Sequence, residues 1–188
     1  GAAGAGAAKA AGSAAGGGFP LKDAVTCGLL SLLGDAIAQA FEAKRDGGRA
    51  LLTHLDAAAH DMIRALRMAS YGFLLYGPGQ KVWYAFLDRT FSAPGWGSFG
   101  AKVALNQLVL GPCVLTAVFT WNLGWQGRWD ELPGKFNRDA IETLMTGWKF
   151  WVPASMVNFS MVPLQYRVAY MSTCAIFWNF YLSLASNK

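Results

Sequence analysis

Charged residues are scarce in this sequence. Asp, Glu, Lys and Arg together make up 14% of the 188 residues, whereas a soluble domain usually carries about a quarter. Hydrophobic residues reach 54%, and the mean hydropathy is +0.27. This shortage of charge argues against a water-soluble globule and favours a chain that lies mostly in lipid. At roughly 20 residues per span, the length allows one domain of about four transmembrane helices with their loops.

Cysteine and histidine are too few and too scattered for the sites that they usually build. Cys27, Cys113 and Cys174 lie singly in apolar runs with no CxxC pair, which argues against a disulfide framework or a cysteine metal site. His54 and His60 are six residues apart, a spacing that does not place two ligands on one helical face. Motifs of serine hydrolases, zinc proteases and nucleotide-binding folds are also missing. We therefore expect no enzyme, no metal site and no cofactor.

Basic clusters are also missing. The net charge of +5 is modest, and no basic block alternates with exposed aromatics, so a nucleic-acid partner is not expected. Anionic lipid headgroups explain the surplus more simply. Residues 1–19 are almost entirely glycine and alanine and cannot build a core. We predict that 1–19 is a low-complexity tail lying on a partner chain, and that 20–188 is a single transmembrane helical domain.

Four apolar segments have the length of membrane-spanning helices: residues 21–41, 68–87, 103–125 and 148–184. Because proline removes a backbone donor and clashes with the preceding turn, we expect the second helix to be kinked or broken at Gly77-Pro78 and the last segment to be broken near Pro163. From Trp129 to Trp148, apolar residues recur at steps of three and four opposite charged ones, which predicts an amphipathic interfacial helix that runs into the final span. The predicted fold is an all-α bundle of about four transmembrane helices, two of them broken at proline, plus this interfacial helix.

A few polar residues interrupt the apolar segments. Asp35 and Gln39 are four residues apart, so they share one helical face, which should point inward. An arginine at membrane depth costs about 2.5 to 3.5 kcal/mol on insertion scales, so Arg167 should face the bundle interior, a watery cavity or the interface. The residues predicted to line a pore or to lock helices together are Asp35, Gln39, Asn106, Gln107, Asn158, Gln165 and Arg167.

A charged cluster precedes the second apolar segment. Asp61, Arg64 and Arg67 lie at successive helical turns. This arrangement predicts an interfacial network of ion pairs that contacts lipid phosphate. The alternative is the mouth of a path that guides anions.

The C-terminal segment carries a dense pattern of tryptophan, asparagine, proline and arginine. Its members are Trp148, Trp151, Asn158, Phe159, Pro163, Arg167, Trp178 and Asn179. This pattern resembles the C-terminal signature of the peroxisomal membrane protein family that includes the mitochondrial Mpv-seventeen protein. Upstream, Gly34-Asp35 followed by Gln39, and the spacing of the charged cluster, resemble further family elements. The sequence departs from the family at Asn106, where aspartate is usual.

The resemblance implies an integral protein of the mitochondrial inner membrane or the peroxisome, linked to permeability for metabolites or ions. On this reading the chain is a channel or carrier for small solutes, and Arg167 attracts anions to a narrow polar path. The alternative is a structural subunit of a larger respiratory or photosynthetic membrane assembly. In that case the polar residues only lock helices together, and lipid or pigment fills the grooves. The mitochondrial inner membrane is the expected location, with a peroxisomal or chloroplast membrane as alternatives.

Overall fold

A computed structural model describes residues 19–45 and 54–185 of the chain, without the side chains of 41–45, 54–61 and 179–185. Every regular element in these two ranges is helical, which confirms the all-α prediction for this part of the chain. The predicted contact of the N-terminal tail with a partner concerns residues 1–18, which lie outside the described residues. The structure does not describe the side chains of Asp61 and Asn179, so the roles predicted for them remain predictions.

Five long helices form the described fold. Helix α1 is Leu21–Arg45, α2 covers residues 54–90, α3 is Trp96–Trp125, α4 is Leu132–Met161 and α5 is Arg167–Ala185. Short 3-10 turns at Trp129–Glu131 and Leu164–Tyr166 precede α4 and α5. Within the described residues, α3 is the one helix that is long and apolar enough by itself to cross a membrane. The four-span arrangement therefore remains a prediction.

Consecutive helices run in opposite directions. Arg64 of α2 bonds to Asp35 of α1, whereas the later Lys81 bonds to the earlier Asp23. The same reversed order of contacts relates α2 to α3, α3 to α4 and α4 to α5. Helices α1, α3 and α5 therefore point one way and α2 and α4 the other. Helix α5 returns to pack parallel against α1.

The chain turns back at Val162 and Pro163. Val162 is extended, with φ −94° and ψ 120°, because the residue before a proline is disfavoured in the α conformation. The ring of Trp178 in α5 then lies 6.1 Å from that of Trp151 in α4, so these helices are antiparallel. The predicted interruption near Pro163 is present, but the segment 148–184, predicted as one interrupted span, is a helical hairpin.

Of the kink or break predicted at Gly77-Pro78, the break is wrong, because α2 stays helical through this pair. Residues Gly72–Tyr76 form a π-helical stretch, closed by the Gly77 N–H donating to the Gly72 carbonyl. In an α-helix a proline ring clashes with the carbonyl four residues back. The wider π turn relieves this clash, and the helix resumes its α form around the proline.

The predicted amphipathic helix continues directly into the following apolar segment, as the sequence predicted. Its residues form the first half of α4, which runs without a break to Met161. This half packs against α3, where the Phe136 ring lies 5.4 Å from that of Phe119. The amphipathic pattern therefore marks a helix with one face on the bundle and charged side chains on the other.

Polar side chains lie inside the bundle while large apolar ones cover its outside. Trp96 is 87% exposed, and Ile141 and Met161 are 77% exposed. The buried polar and charged residues are Asp23, Asp35, Gln80, Asn106, Gln107, Ser155, Asn158, Arg167 and Ser172. So much apolar surface would be costly in water. Hydrocarbon is the solvent that suits this distribution, because polar groups in a bilayer must find partners within the protein.

Candidate functional site

A cavity of about 280 Å³ lies between helices α2, α3, α4 and α5 and also touches α1. Its walls are mainly aliphatic and aromatic. The polar side chains in the wall, apart from tyrosine and tryptophan, are Ser31, Gln80, Asn106, Gln107 and Thr143. Among the described residues, no Asp, Glu, Lys, Arg or His lines the cavity. An apolar pocket with a few polar groups is the usual form of a small-molecule site.

A second π-helical stretch places two neighbouring amides inside the bundle. Asn106–Leu110 is π-helical and ends directly before Gly111-Pro112, as the stretch in α2 ends before its own Gly-Pro pair. A π turn holds more residues than an α turn, so side chains next to each other in sequence face more nearly the same way. Asn106 and Gln107 are consequently both buried, with 4% and 7% exposure.

Ser155 of α4 holds these two amides in place. Its Oγ accepts hydrogen bonds from Asn106 Nδ2 and Gln107 Nε2, each at 2.8 Å. Gln107 Nε2 also donates to the Trp151 carbonyl at 3.0 Å, and Asn106 Oδ1 accepts from Trp83 Nε1 at 3.2 Å. This network joins α2, α3 and α4 beside the cavity.

Two of the cavity-lining residues each have a fully buried polar atom that lacks a hydrogen-bond partner among the residues that the structure describes. Gln80 is only 2% exposed, and its Oε1 accepts no hydrogen bond. The buried Nε1 of Trp148 donates none. A buried polar group without a partner costs about 1 to 3 kcal/mol. Such groups are rare in folded proteins and call for an explanation at each position.

The buried carboxylates Asp23 and Asp35 form pairs away from the cavity. Asp35 and Gln39 share an inward face: Asp35 Oδ2 accepts from Gln39 Nε2 at 2.6 Å, and its Oδ1 accepts from Arg64 Nε at 2.8 Å. Near the start of α1, Asp23 pairs with Lys81 at 2.8 Å. These pairs fix α2 against α1 at two heights.

Arg167 pairs with Asp88, which follows the apolar stretch of α2. Arg167 Nη1 lies 2.8 Å and Lys102 Nζ 2.7 Å from the same Asp88 oxygen, Oδ1. Burial tends to raise the pKa of the Asp88 carboxyl, but hydrogen bonds from Lys102 and Arg167 outweigh it and hold the pKa below its usual value. Arg167 Nε donates to the Val162 carbonyl at 3.1 Å, and its guanidinium lies 5.1 Å from the Phe159 ring centroid. Arg167 therefore braces the hairpin turn.

The seven polar residues predicted to line a pore or lock helices thus fall into separate places. Asn106 and Gln107 line the cavity. Three others, Asp35, Gln39 and Arg167, belong to the ion-pair clusters just described. Asn158 is fully buried outside the cavity, and neither polar atom of its amide has a hydrogen-bond partner among the described residues. Gln165 is exposed on the 3-10 turn before α5.

The predicted interfacial cluster is described in part. Arg64 bonds to Asp35 of the neighbouring helix. The carbonyl of Arg67 accepts a hydrogen bond from Trp121 Nε1 at 3.0 Å, and its Nε is buried without a partner in the described ranges. The side chain of Arg64 is therefore directed toward α1.

Sequence reasoning did not single out Gln80 or Ser155 as site residues. An amide inside an apolar segment is the signal that selected Gln107, and the same signal applies to Gln80. Ser155 carries no such signal, because serine is a common small residue at helix contacts. Only the neighbouring helix shows that its hydroxyl serves two amides.

Comparison with known proteins identifies the family. The model of the Mpv17 / PMP22 family matches residues 124–183. The mitochondrial inner membrane protein Mpv17 of Xenopus laevis is 32% identical over 87% of this chain and 88% of its own length. The chain belongs to the Mpv17 / PMP22 family.

Further members of the Mpv17 / PMP22 family align over most of the chain. Protein SYM1 of Gibberella zeae is 32% identical over 89% of this chain and 90% of its own length. PXMP2/4 family protein 1 of Dictyostelium discoideum is 30% identical over 75% of this chain and 72% of its own length. No solved structure matches the chain. The resemblance and the expected location in an organelle membrane are thereby confirmed.

The C-terminal signature of this Mpv17 / PMP22 family member surrounds one end of the site. Trp148, Trp151 and Trp178 all line the cavity. The ring of Phe150 bridges two of them, 5.0 Å from Trp151 and 5.4 Å from Trp178. Pro163 reverses the chain so that α5 brings Trp178 back to α4. Among the described residues, no group of three or more metal-ligating side chains is clustered.

Proposed function

We propose that this Mpv17 / PMP22 family protein provides a passage or carrier site for small solutes across an organelle membrane, without catalysing a reaction. By analogy with relatives named for it, that membrane is the mitochondrial inner membrane. The observation that carries the proposal is the cavity of about 280 Å³ within the bundle. Side chains from all five helices line this space, and most of them are apolar with a few polar groups among them. A concave, mainly apolar pocket of this kind is the usual form of a small-molecule site.

In this proposal the ion pairs form the frame and the cavity forms the binding site. Salt bridges to lysine and arginine side chains neutralise the carboxylates of Asp23, Asp35 and Asp88 at helix contacts. Arg167 then acts as a brace of the hairpin and no longer as an attractor of anions. The two π-helical stretches flank the cavity through Tyr76 and Asn106, at positions where a small change of helical register would alter its width.

Solute flux into proteoliposomes tests this proposal. Leu115→Trp replaces an aliphatic side chain of the cavity wall with a large indole ring. Leu108→Trp makes the same exchange on the exposed face of α3, where Leu108 is 61% exposed. We expect Leu115→Trp to lower the uptake of small solutes by about tenfold, which corresponds to about 1.4 kcal/mol, and Leu108→Trp to leave it unchanged. Equal flux in both variants would place any path elsewhere, and no flux above protein-free liposomes would contradict transport.

A second candidate is a structural subunit of a larger membrane assembly. It is favoured by the pairing of the described buried carboxylates and by the large apolar side chains on the outer faces of the helices. On this reading the protein co-purifies in fixed stoichiometry with other membrane subunits after mild detergent extraction, and the reconstituted protein alone conducts nothing. Native gel electrophoresis of solubilised membranes separates the two candidates when it is combined with the flux assay.

A further inference from the structure

We infer that the outer face of α4 is an interface for a transmembrane helix of a different membrane subunit, one that carries an acidic and a basic side chain. We define this face by Glu142, Met145, Lys149 and Pro153, all of which are exposed. The opposite face of the same helix lines the cavity. The inference therefore holds whether or not the cavity conducts a solute.

Two charged side chains of this face are not paired within the described ranges. Glu142 and Lys149 are seven residues, or about two helical turns, apart on α4. The salt bridges that the structure describes in α4 lie near its start, and neither Glu142 nor Lys149 takes part in one. Pro153 adds a third polar feature, because it has no N–H to donate to the carbonyl of Lys149 four residues earlier.

The two charges lie at the middle height of α3, the described helix that can cross a membrane by itself. The Trp151 carbonyl of α4 accepts a hydrogen bond from Gln107 at 3.0 Å, and Leu144 of α4 lies beside Gly111. On α4 the charges lie two residues before Leu144 and two before Trp151. Measured along α3, both heights are more than about 15 Å from either end of that helix.

The neighbouring helices are apolar on their outer faces at this height. Leu108 and Val109 of α3 are 61% and 40% exposed. Leu74 and Leu75 of α2 are 50% and 42% exposed and lie between hydrogen bonds that join α2 to α3. Such surfaces suit hydrocarbon, whereas a charged side chain in hydrocarbon is rare and almost always turns to a protein partner or to water. The face of α4 therefore needs a cover that its neighbours do not need.

A second copy of this chain does not supply the missing charges. If two copies in the same orientation met through this face, Lys149 would lie against Lys149 and Glu142 against Glu142, and like charges repel. The other carboxylates that the structure describes are in salt bridges, except that of Asp130, which lies beyond the end of α3. A different subunit with an acid opposite Lys149 and a base opposite Glu142 satisfies both groups.

Photocross-linking in the native membrane tests what covers this face. A benzophenone-bearing amino acid replaces Met145, which lies between the two charges and is 55% exposed, or, as a control, the exposed Leu108 of α3. We expect position 145 to form an adduct with a different protein that has an acidic residue in a transmembrane segment, and position 108 to form lipid adducts only.

Several results of this experiment would overturn the inference. They are lipid adducts alone at position 145, an adduct with a second copy of the chain, a partner without an acidic residue in a transmembrane segment, and equal capture of one protein from both positions. Mass spectrometry of the adducts distinguishes these results from one another.

Charge variants test whether the two side chains drive the contact. Lys149→Met combined with Glu142→Gln removes both charges at similar side-chain size, and it should lower the yield of the position-145 adduct by at least about tenfold, because a desolvated charge pair is lost. Both side chains point out of the bundle, so the variant should stay folded, which circular dichroism checks. Arg138→Gln is the control, because Arg138 is 72% exposed and lies beside Asp139, and it should leave the yield unchanged.

A charge exchange completes the test. Lys149→Glu should abolish the adduct, and replacing the partner's acid with lysine should restore it. An adduct that forms as well in the neutral variant as in the wild type, or a charge exchange that restores nothing, would overturn the assignment of an acidic partner helix.

Discussion

Replacing Gly77 with alanine tests the close contact of α2 with α1. A Cβ atom at Gly77 would lie 2.8 Å from the Asp23 carbonyl oxygen and 3.0 Å from Ala24 Cα. Both are backbone atoms, so the clash is relieved only when α1 moves, and Asp23 is also bonded to Lys81. Overpacking of this kind lowers the free energy of unfolding by about 1 to 3 kcal/mol, and we expect about 3 kcal/mol here because the neighbouring atoms belong to the backbone. The higher helix propensity of alanine offsets about 1 kcal/mol of this loss. The net loss of stability is therefore about 2 kcal/mol.

Gly79→Ala is the matched control for this prediction. It lies two residues further along the same helix, beyond Pro78, and an added Cβ there meets nothing within 4 Å. Alanine should therefore stabilise the helix by about 0.5 to 1 kcal/mol. The free energy of unfolding in detergent, followed by circular dichroism, should separate the two variants by about 3 kcal/mol. If Gly77→Ala is as stable as Gly79→Ala, the described contact between α1 and α2 is incorrect.

Further predictions concern the buried polar contacts. Asp88→Asn removes the counter-charge of buried Arg167 and should lower the free energy of unfolding by about 3 kcal/mol. Adding Arg167→Met to the same chain should restore part of this loss. A double variant that is no more stable than Asp88→Asn would show that the two residues are not coupled. Because the folded pKa of Asp88 is lowered, its stabilising contribution is present above the unfolded pKa of about 3.9 and is lost as the pH falls through the folded value. An acid titration of unfolding should accordingly show the wild type approaching Asp88→Asn. Ser155→Ala removes the acceptor shared by two buried amides and should cost about 2 to 3 kcal/mol, whereas Ser160→Ala on an exposed face should cost little; equal stability of the two serine variants would argue against the network.

Local rules were sufficient for the helices and for one inward face. A four-residue spacing places Asp35 and Gln39 together, and the scarcity of charge requires such groups to turn inward. The sequence also predicted an interruption at Pro163, because proline restricts the residue before it. At Pro78, where the sequence predicted a kink or a break, the helix is not broken, since it accommodates the proline through a π-helical stretch.

The sequence by itself determined the all-helical class, the preference for lipid and the membership of the Mpv17 / PMP22 family. These follow from composition, from periodicity and from the spacing of the C-terminal tryptophans, which are properties of residues near one another in the chain. Only the tertiary structure decided that Arg167 pairs with Asp88, 79 residues away, and that the last segment folds back as a hairpin. It alone also decided that a space remains between α2 and α5. The physical reason is that pairing and packing depend on which helix faces come together, and a single sequence records no distances between its helices.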